Sequence, residues 1–123
     1  MLNLNSILIG SAEPKELAGF YEKVFQKKPD MDDGGWYGWQ VGSSYFSIGE
    51  HSEIKGEAKE PQRILLDFET SEVKEEFERI SKIDGAKVIK EPYQMQGMGM
   101  DIWIATLADP DGNYFQLMSP WED

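Results

Sequence analysis

Several residue types are scarce or missing, and each shortage excludes a class of protein. The 123 residues include no cysteine, which excludes disulfide scaffolds, thiolate metal sites and thiol nucleophiles. They include one histidine. The chain has 12 basic and 23 acidic residues and a net charge of −11, and its lysines are scattered along the sequence. Such a surface would repel a phosphate backbone, so we expect no nucleic-acid partner.

Long apolar stretches are missing as well. No run approaches the roughly 20 apolar residues that cross a bilayer, and no basic leader precedes an apolar segment at the start. We therefore expect no membrane partner and a cytoplasmic location. With 40% hydrophobic residues in 123, the chain has the size and composition of one domain with a hydrophobic core.

The order of predicted elements occurs twice along the chain. Residues 1–50 contain an apolar strand, a helix that starts at Pro14 and a strand pair around a Gly42-Ser43 turn, and residues 62–120 repeat that order. Residues 51–61 are charged, lack an apolar period and end in proline, so we interpret them as a linker. The sequence thus predicts an α/β (α+β) fold of two β-α-β-β-β units.

The repeat and the turn lengths together predict which side chains share a face. Aligning Phe20 with Phe77 gives an offset of 57, which places Ser6 on Arg63. A two-residue turn at Gly42-Ser43 would put Gly38 opposite Ser47, and a four-residue turn at 109–112 would put Ala105 opposite Gln116. The predicted faces are Trp36, Gln40, Tyr45 and Ser47 in the first unit, and Trp103, Leu107, Tyr114, Gln116 and Met118 in the second.

The doubled unit, the helical segment FYEKVF and the closing segment ADPDGNYFQLMSP resemble the vicinal oxygen chelate superfamily. This superfamily includes glyoxalase I, bleomycin-resistance proteins and extradiol dioxygenases. The resemblance implies curved mixed sheets around a cleft, helices on the outer face and pairing of subunits, hence a homodimer. It also implies divalent-metal ligands, usually His or Glu, on the first and last strands of each unit. The corresponding residues here are Ser6, Ser47, Arg63 and Gln116.

None of these four residues is a usual metal ligand. A guanidinium has no lone pair to donate, and serine and glutamine are weak uncharged ligands. We therefore expect no metal and no other cofactor, and a small molecule bound in the manner of the bleomycin-resistance proteins. In this interpretation Arg63 contacts an anionic group and the aromatic residues cover an apolar body. The expected ligand-binding residues are Ser6, Trp36, Gln40, Ser47, Arg63, Trp103, Tyr114 and Gln116.

Other interpretations of the same residues stay open. Arg63 would form an ion pair with Asp67 if both lay on one strand face. The chain would be a lyase, isomerase or dioxygenase-type enzyme if atypical residues carried the chemistry, or a dimer-forming domain without a ligand if the aromatic face bound a second subunit. The segment Met95–Met100 is interpreted as either a packed hydrophobic loop or a lid. The candidate bases of an enzyme are Glu50, His51, Asp67 and Asp101.

Overall fold

The computed structural model describes residues 1–95 and 101–120. The chain divides into two compact units, Met1–Gly56 (unit 1) and Glu57–Asp123 (unit 2). The boundary falls inside the segment 51–61 that we interpreted as a linker. Among the described helices, none combines the length and the hydrophobicity needed to cross a membrane.

Unit 1 is one mixed four-stranded sheet with one helix. Its strand order is β1-β4-β3-β2, in which β1 runs parallel to β4 and the other neighbours are antiparallel. Gly42 has a φ of 59°, which suits the tight turn that joins β3 and β4. The elements are β1 (Ser6–Ser11), α1 (Pro14–Phe25), β2 (Met31–Asp33), β3 (Trp36–Val41) and β4 (Ser44–Glu50).

Aromatic side chains fill the core between α1 and its sheet. The ring of Tyr21 lies 4.8 Å from that of Phe46, and the ring of Phe25 lies 5.5 Å from that of Trp39. Trp39 is fully buried, and its Nε1 donates a hydrogen bond of 3.0 Å to the Lys27 carbonyl oxygen. The indole is therefore both packed and satisfied, as a buried tryptophan requires. This packing fixes which face of the sheet α1 covers.

Unit 2 repeats the architecture. Its strand order is β5-β8-β7-β6, with β5 parallel to β8 and the other neighbours antiparallel. The two mixed sheets, each with one helix, confirm the predicted α+β fold of two β-α-β-β-β units. The elements are β5 (Leu66–Glu69), α2 (Val73–Ser81), β6 (Lys87–Gln94), β7 (Trp103–Ala108) and β8 (Tyr114–Met118).

The first strand of unit 2 begins later than the sequence predicted. The resemblance placed Arg63 on the first strand of unit 2, but Pro61–Arg63 forms a turn of 3-10 helix and β5 begins at Leu66. Pro61 presets a helical φ at the first position of that turn, and the Arg63 backbone N–H donates to the Glu60 carbonyl oxygen at 3.0 Å. The prediction that Arg63 is a strand residue is therefore wrong.

Candidate functional site

Each sheet has a helix face and a second face that points away from its own helix, here called the distal face. In unit 1 the register places Gly38 opposite Ser47 and Gln40 opposite Tyr45. Trp36 lies on the same face, opposite Gly49. The predicted arrangement of the first hairpin is therefore confirmed. Trp39 and Phe46 occupy the helix face, in contact with the rings of α1.

Two aromatic rings on the distal face of unit 1 lie against glycine backbone. A Cβ atom built on Gly49 would lie 2.5 Å from Cζ3 of Trp36, and one built on Gly38 would lie 2.6 Å from Cε2 of Tyr45. The rings thus occupy the space that larger residues would need on the neighbouring positions. Trp36 remains 43% exposed and Leu8 54% exposed. Unit 1 therefore presents an accessible apolar surface that includes an indole ring.

The polar residues of this face are mostly bonded within the sheet. The Ser47 hydroxyl donates to the Ile7 carbonyl oxygen at 3.2 Å. Gln40 Nε2 donates to the carbonyl oxygens of Gly42 and Ser44 at 3.0 and 3.2 Å, and Ser6 is exposed opposite Tyr45. A groove of about 390 Å³ adjoins this end of the sheet. It is lined by Asn3, Leu4, Asn5, Gln40, Ser43 and Tyr45.

The residues beside the last strand of each unit differ from those predicted. Leu8, and not Ser6, lies opposite Ser47 in the parallel pair of β1 and β4. Asp67, and not Arg63, lies opposite Gln116 in the parallel pair of β5 and β8. The two first strands are thus related by an offset of 59 (67 − 8), whereas we predicted 57. Matching Phe20 to Phe77 had shifted the alignment by two residues.

A sequence signal for the correct offset lies just before each helix. The Glu13 backbone N–H donates to Ser11 Oγ at 3.0 Å, and the Glu72 backbone N–H donates to Thr70 Oγ1 at 3.0 Å. A hydroxyl residue followed two positions later by glutamate is a local turn that precedes a helix. Its two occurrences are 59 residues apart, which is the offset of the strands.

Arg63 lies away from the face to which we assigned it. Its side chain is 72% exposed, and Nη2 lies 2.8 Å from Glu60 Oε2. The alternative ion pair with Asp67 is also wrong, because Arg63 precedes β5 and its observed ionic partner is three residues upstream. The argument that a permanent cation excludes a metal from this position therefore fails.

The second hairpin of unit 2 differs from the prediction by one residue. Ala108 pairs with Tyr114, and Thr106, not Ala105, lies opposite Gln116. The connection is therefore residues 109–113. Buried Asp109 holds it through its Oδ1, which accepts the backbone N–H groups of Asp111 and Asn113 at 2.9 and 3.0 Å.

This shift moves two predicted residues to the other side of the sheet. Trp103 and Leu107 alternate onto the helix face, where Lys74 Nζ of α2 lies 3.8 Å from the centroid of a Trp103 ring. Tyr114 and Gln116 lie on the distal face, as the sequence predicted. Trp103 therefore covers no ligand surface on the distal face of unit 2.

A row of polar residues crosses the distal face of unit 2, one from each strand. Asp67 lies opposite Gln116, Gln116 opposite Thr106 and Thr106 opposite Lys90. Gln116 Nε2 donates to Thr106 Oγ1 at 3.1 Å, and Lys90 Nζ lies 5.3 Å from the ring centroid of Tyr93. Surrounding protein atoms withdraw the Asp67 carboxyl partly from water, which raises its pKa. Sequence reasoning missed Thr106 and Lys90 because both depend on the register.

These residues do not fit the divalent ion that the superfamily implies. Leu8 carries no donor atom, and the Ser47 hydroxyl is engaged with a backbone carbonyl. Unit 2 offers one carboxylate, Asp67, and the amide of Gln116. Within residues 1–95 and 101–120, no three His, Cys, Asp or Glu side chains come together to hold a metal ion. Divalent ions bind where several charged or imidazole ligands converge.

Two further candidates are placed as follows. His51 is exposed in unit 1, and its Nδ1 accepts the Glu53 backbone N–H at 3.1 Å. Asp101 accepts a hydrogen bond from Gln94 in unit 2.

Met95 packs against the buried cluster of Ile102, Ile104 and Met118. The remainder of the methionine-rich segment, residues 96–100, lies outside the described residues.

The sequence profile of the glyoxalase-like domain matches residues 6–118. The chain belongs to the glyoxalase-like family. The match confirms the resemblance to the vicinal oxygen chelate superfamily that the closing motif and the doubled unit had indicated. No curated protein matches this glyoxalase-like chain.

Solved structures share the fold of this glyoxalase-like protein. A glyoxalase/bleomycin resistance protein from Albidiferax ferrireducens has a TM-score of 0.76 at 17% identity, over 94% of this chain and 98% of that one. A glyoxalase/bleomycin resistance protein/dioxygenase family enzyme from Burkholderia phytofirmans has a TM-score of 0.73 at 22% identity, over 96% and 98%. A glyoxalase-related enzyme from Fulvimarina pelagi has a TM-score of 0.77 at 15% identity, over 98% and 89%.

Proposed function

We propose that this glyoxalase-like protein binds a small organic molecule with a planar apolar part, and that it does so without a divalent metal ion. The observation that carries the proposal is the distal face of unit 1. Trp36 covers Gly49 there and Tyr45 covers Gly38, while much of the Trp36 side chain stays exposed. An accessible aromatic surface with polar groups at its margin suits a planar ligand.

Not every residue predicted from the sequence belongs to this proposal. Arg63 is left out because it is ion-paired with Glu60 on an exposed turn, and Trp103 because it lies on the helix face. Without Arg63, the preference for an anionic ligand loses its physical basis. On the distal face of unit 1, the residues proposed to contact ligand are Ser6, Trp36, Gln40 and Ser47; on the distal face of unit 2, taken by itself, they are Tyr114 and Gln116.

Metal independence is supported by the chemistry of the available donors. In unit 1 the facing positions on the first and last strands are Leu8, which carries an alkyl group, and Ser47, whose hydroxyl already donates a hydrogen bond. In unit 2 they carry one carboxylate and one neutral amide. The small number of donor atoms and the single negative charge at these positions favour weak or no binding of transition-metal ions. Binding energy is therefore expected to come from apolar contact and hydrogen bonds.

The test is a titration of the EDTA-treated, isotope-labelled full chain with 2-naphthol, followed by nuclear magnetic resonance. The side-chain N–H of Trp36 should shift saturably, and Trp36→Leu should weaken binding about tenfold, because loss of ring stacking costs about 1 to 1.5 kcal/mol. Trp103→Leu is the matched control and should leave the affinity unchanged. Three results would each count against the proposal: no saturable shift, equal losses in both variants, or binding that requires added nickel, zinc or manganese.

We also propose that the protein forms a homodimer. Edge strand β6 supports this, because an unpaired strand edge with apolar side chains is suited to pairing with another chain. Its residues Val88, Ile89 and Tyr93 are 48%, 41% and 40% exposed. Light scattering across a range of concentrations should give the mass of two chains, and a constant mass of one chain would contradict it. The cytoplasmic location stays a proposal, testable by cell fractionation.

A further inference from the structure

Two hydrogen-bond acceptors stand side by side on the distal face of unit 2. The Asp67 carboxylate has no side-chain hydrogen-bond or ion-pair partner among the residues that the structure describes. Gln116 uses its Nε2 to donate to Thr106, so its side-chain carbonyl oxygen remains available as an acceptor. Adjacent strands are about 4.8 Å apart, so these two acceptors sit at neighbouring positions on one face.

The cations of the same sheet do not neutralise this pair. Lys90 ends the polar row two strands beyond Gln116, roughly 14 Å from the Asp67 backbone at ordinary strand spacing. Its Nζ lies over the Tyr93 ring instead. Asp67 is exposed, so its carboxylate is accessible, and a carboxylate without a partner gains a charge-assisted hydrogen bond from an incoming positive group. The net charge of −11 adds a field that attracts cations.

We propose that the distal face of unit 2 binds the protonated amino group of a small organic molecule, with the Asp67 carboxylate and the Gln116 carbonyl oxygen accepting its N–H bonds. The inference rests on the proposed function in that the chain binds a small organic molecule, and it names the chemical class of group that the distal face of unit 2 recognises. An ammonium group has several N–H donors and no acceptor, so it can serve both oxygens at once. A carboxylate ligand would meet two acceptors and be repelled.

The experiment compares benzylammonium, benzyl alcohol and benzoate, which share a ring and differ in charge. Each is titrated into the labelled full chain in EDTA at neutral pH. We expect benzylammonium to bind most tightly and benzoate least, with the largest shifts at residues of β5 and β8. Asp67→Asn should weaken benzylammonium binding about tenfold, as the loss of a charge-assisted hydrogen bond implies, and should leave benzyl alcohol binding nearly unchanged.

Two further variants make the test specific. Asp84→Asn removes an exposed carboxylate elsewhere in unit 2 and should not change benzylammonium binding. Gln116→Glu adds a second charge of nearly the same shape and should tighten it severalfold. Benzoate binding as tightly as benzylammonium, or equal losses in Asp67→Asn and Asp84→Asn, would overturn the inference. If 2-naphthol still binds in that case, the inference fails alone; if 2-naphthol does not bind either, the proposed function fails as well.

Discussion

Replacing Gly49 with alanine should displace the Trp36 ring from the distal face of unit 1. The added Cβ would lie 2.5 Å from Cζ3 and 2.6 Å from Cε3 of Trp36, well inside the 3.5 Å of ordinary contact between carbon atoms. Gly49 does not have a positive φ, so alanine fits the backbone and the ring must move. The substitution thus removes the aromatic surface while keeping the tryptophan.

The energetic cost follows from the area that the ring loses. Moving the ring off Gly49 exposes on the order of 50 Å² of apolar surface, which costs about 1.2 kcal/mol at about 25 cal/mol per Å². A glycine-to-alanine change at a position whose φ suits alanine also returns roughly 0.5 to 1 kcal/mol by reducing the entropy of the unfolded chain. The net effect of Gly49→Ala alone is therefore small and must be measured against a control.

Gly19 supplies that control. It lies within α1, and a Cβ built on it has no atom outside its own helical turn within 4 Å. Gly19→Ala should therefore gain the entropic stabilisation without a clash. Urea unfolding should place Gly49→Ala about 1.2 kcal/mol below Gly19→Ala, the value of the lost ring contact. Equal stabilities together with an unshifted Trp36 side-chain N–H signal would refute the reasoning.

The same urea assay tests two further contacts. Asp109→Ala should lower the free energy of unfolding by about 2 kcal/mol, because partly buried N–H groups such as that of Asn113 lose their acceptor; an unchanged midpoint would contradict this. A hydrogen bond from the Gln40 backbone N–H, and to a lesser extent one from Lys27, lowers the pKa of Asp30 below 3.8. The ionised Asp30 therefore stabilises the folded protein above pH 3.8. This stabilisation is lost as the pH falls through the pKa that Asp30 has in the folded state. Asp30→Asn should therefore flatten the loss of stability below pH 3.8, and parallel curves for the two proteins would exclude the effect.

The first hairpin shows where sequence reasoning succeeds. Its turn is Gly42-Ser43, and a two-residue turn with a positive-φ glycine permits one register. The turn therefore predicts that Trp36, Gln40 and Ser47 share one face, and the register confirms it. Here the residue types of the turn determine which side chains share a face.

The second hairpin shows where the same reasoning fails. The segment DPDG suggested a four-residue turn, but the Asp109 carboxylate also binds Asn113 and extends the connection by one residue. Because side chains alternate along a strand, this single residue moved Trp103 to the helix face and brought Thr106 beside Gln116. The extra residue that a side-chain hydrogen bond adds to a turn cannot be counted from residue types alone.

The sequence by itself determined the composition of the core and the doubled β-α-β-β-β order, because apolar periodicity and turn residues are local properties, and its closing motif carried the resemblance to the family. Tertiary structure decided which residues stand beside the last strands. Asp67 and Leu8 reach those positions through pairing of strands that are far apart in the chain, and a shift of four residues, from 63 to 67, keeps the strand alternation while exchanging arginine for aspartate. Pairing energy between distant segments, rather than any short motif, therefore sets the charge of the candidate site.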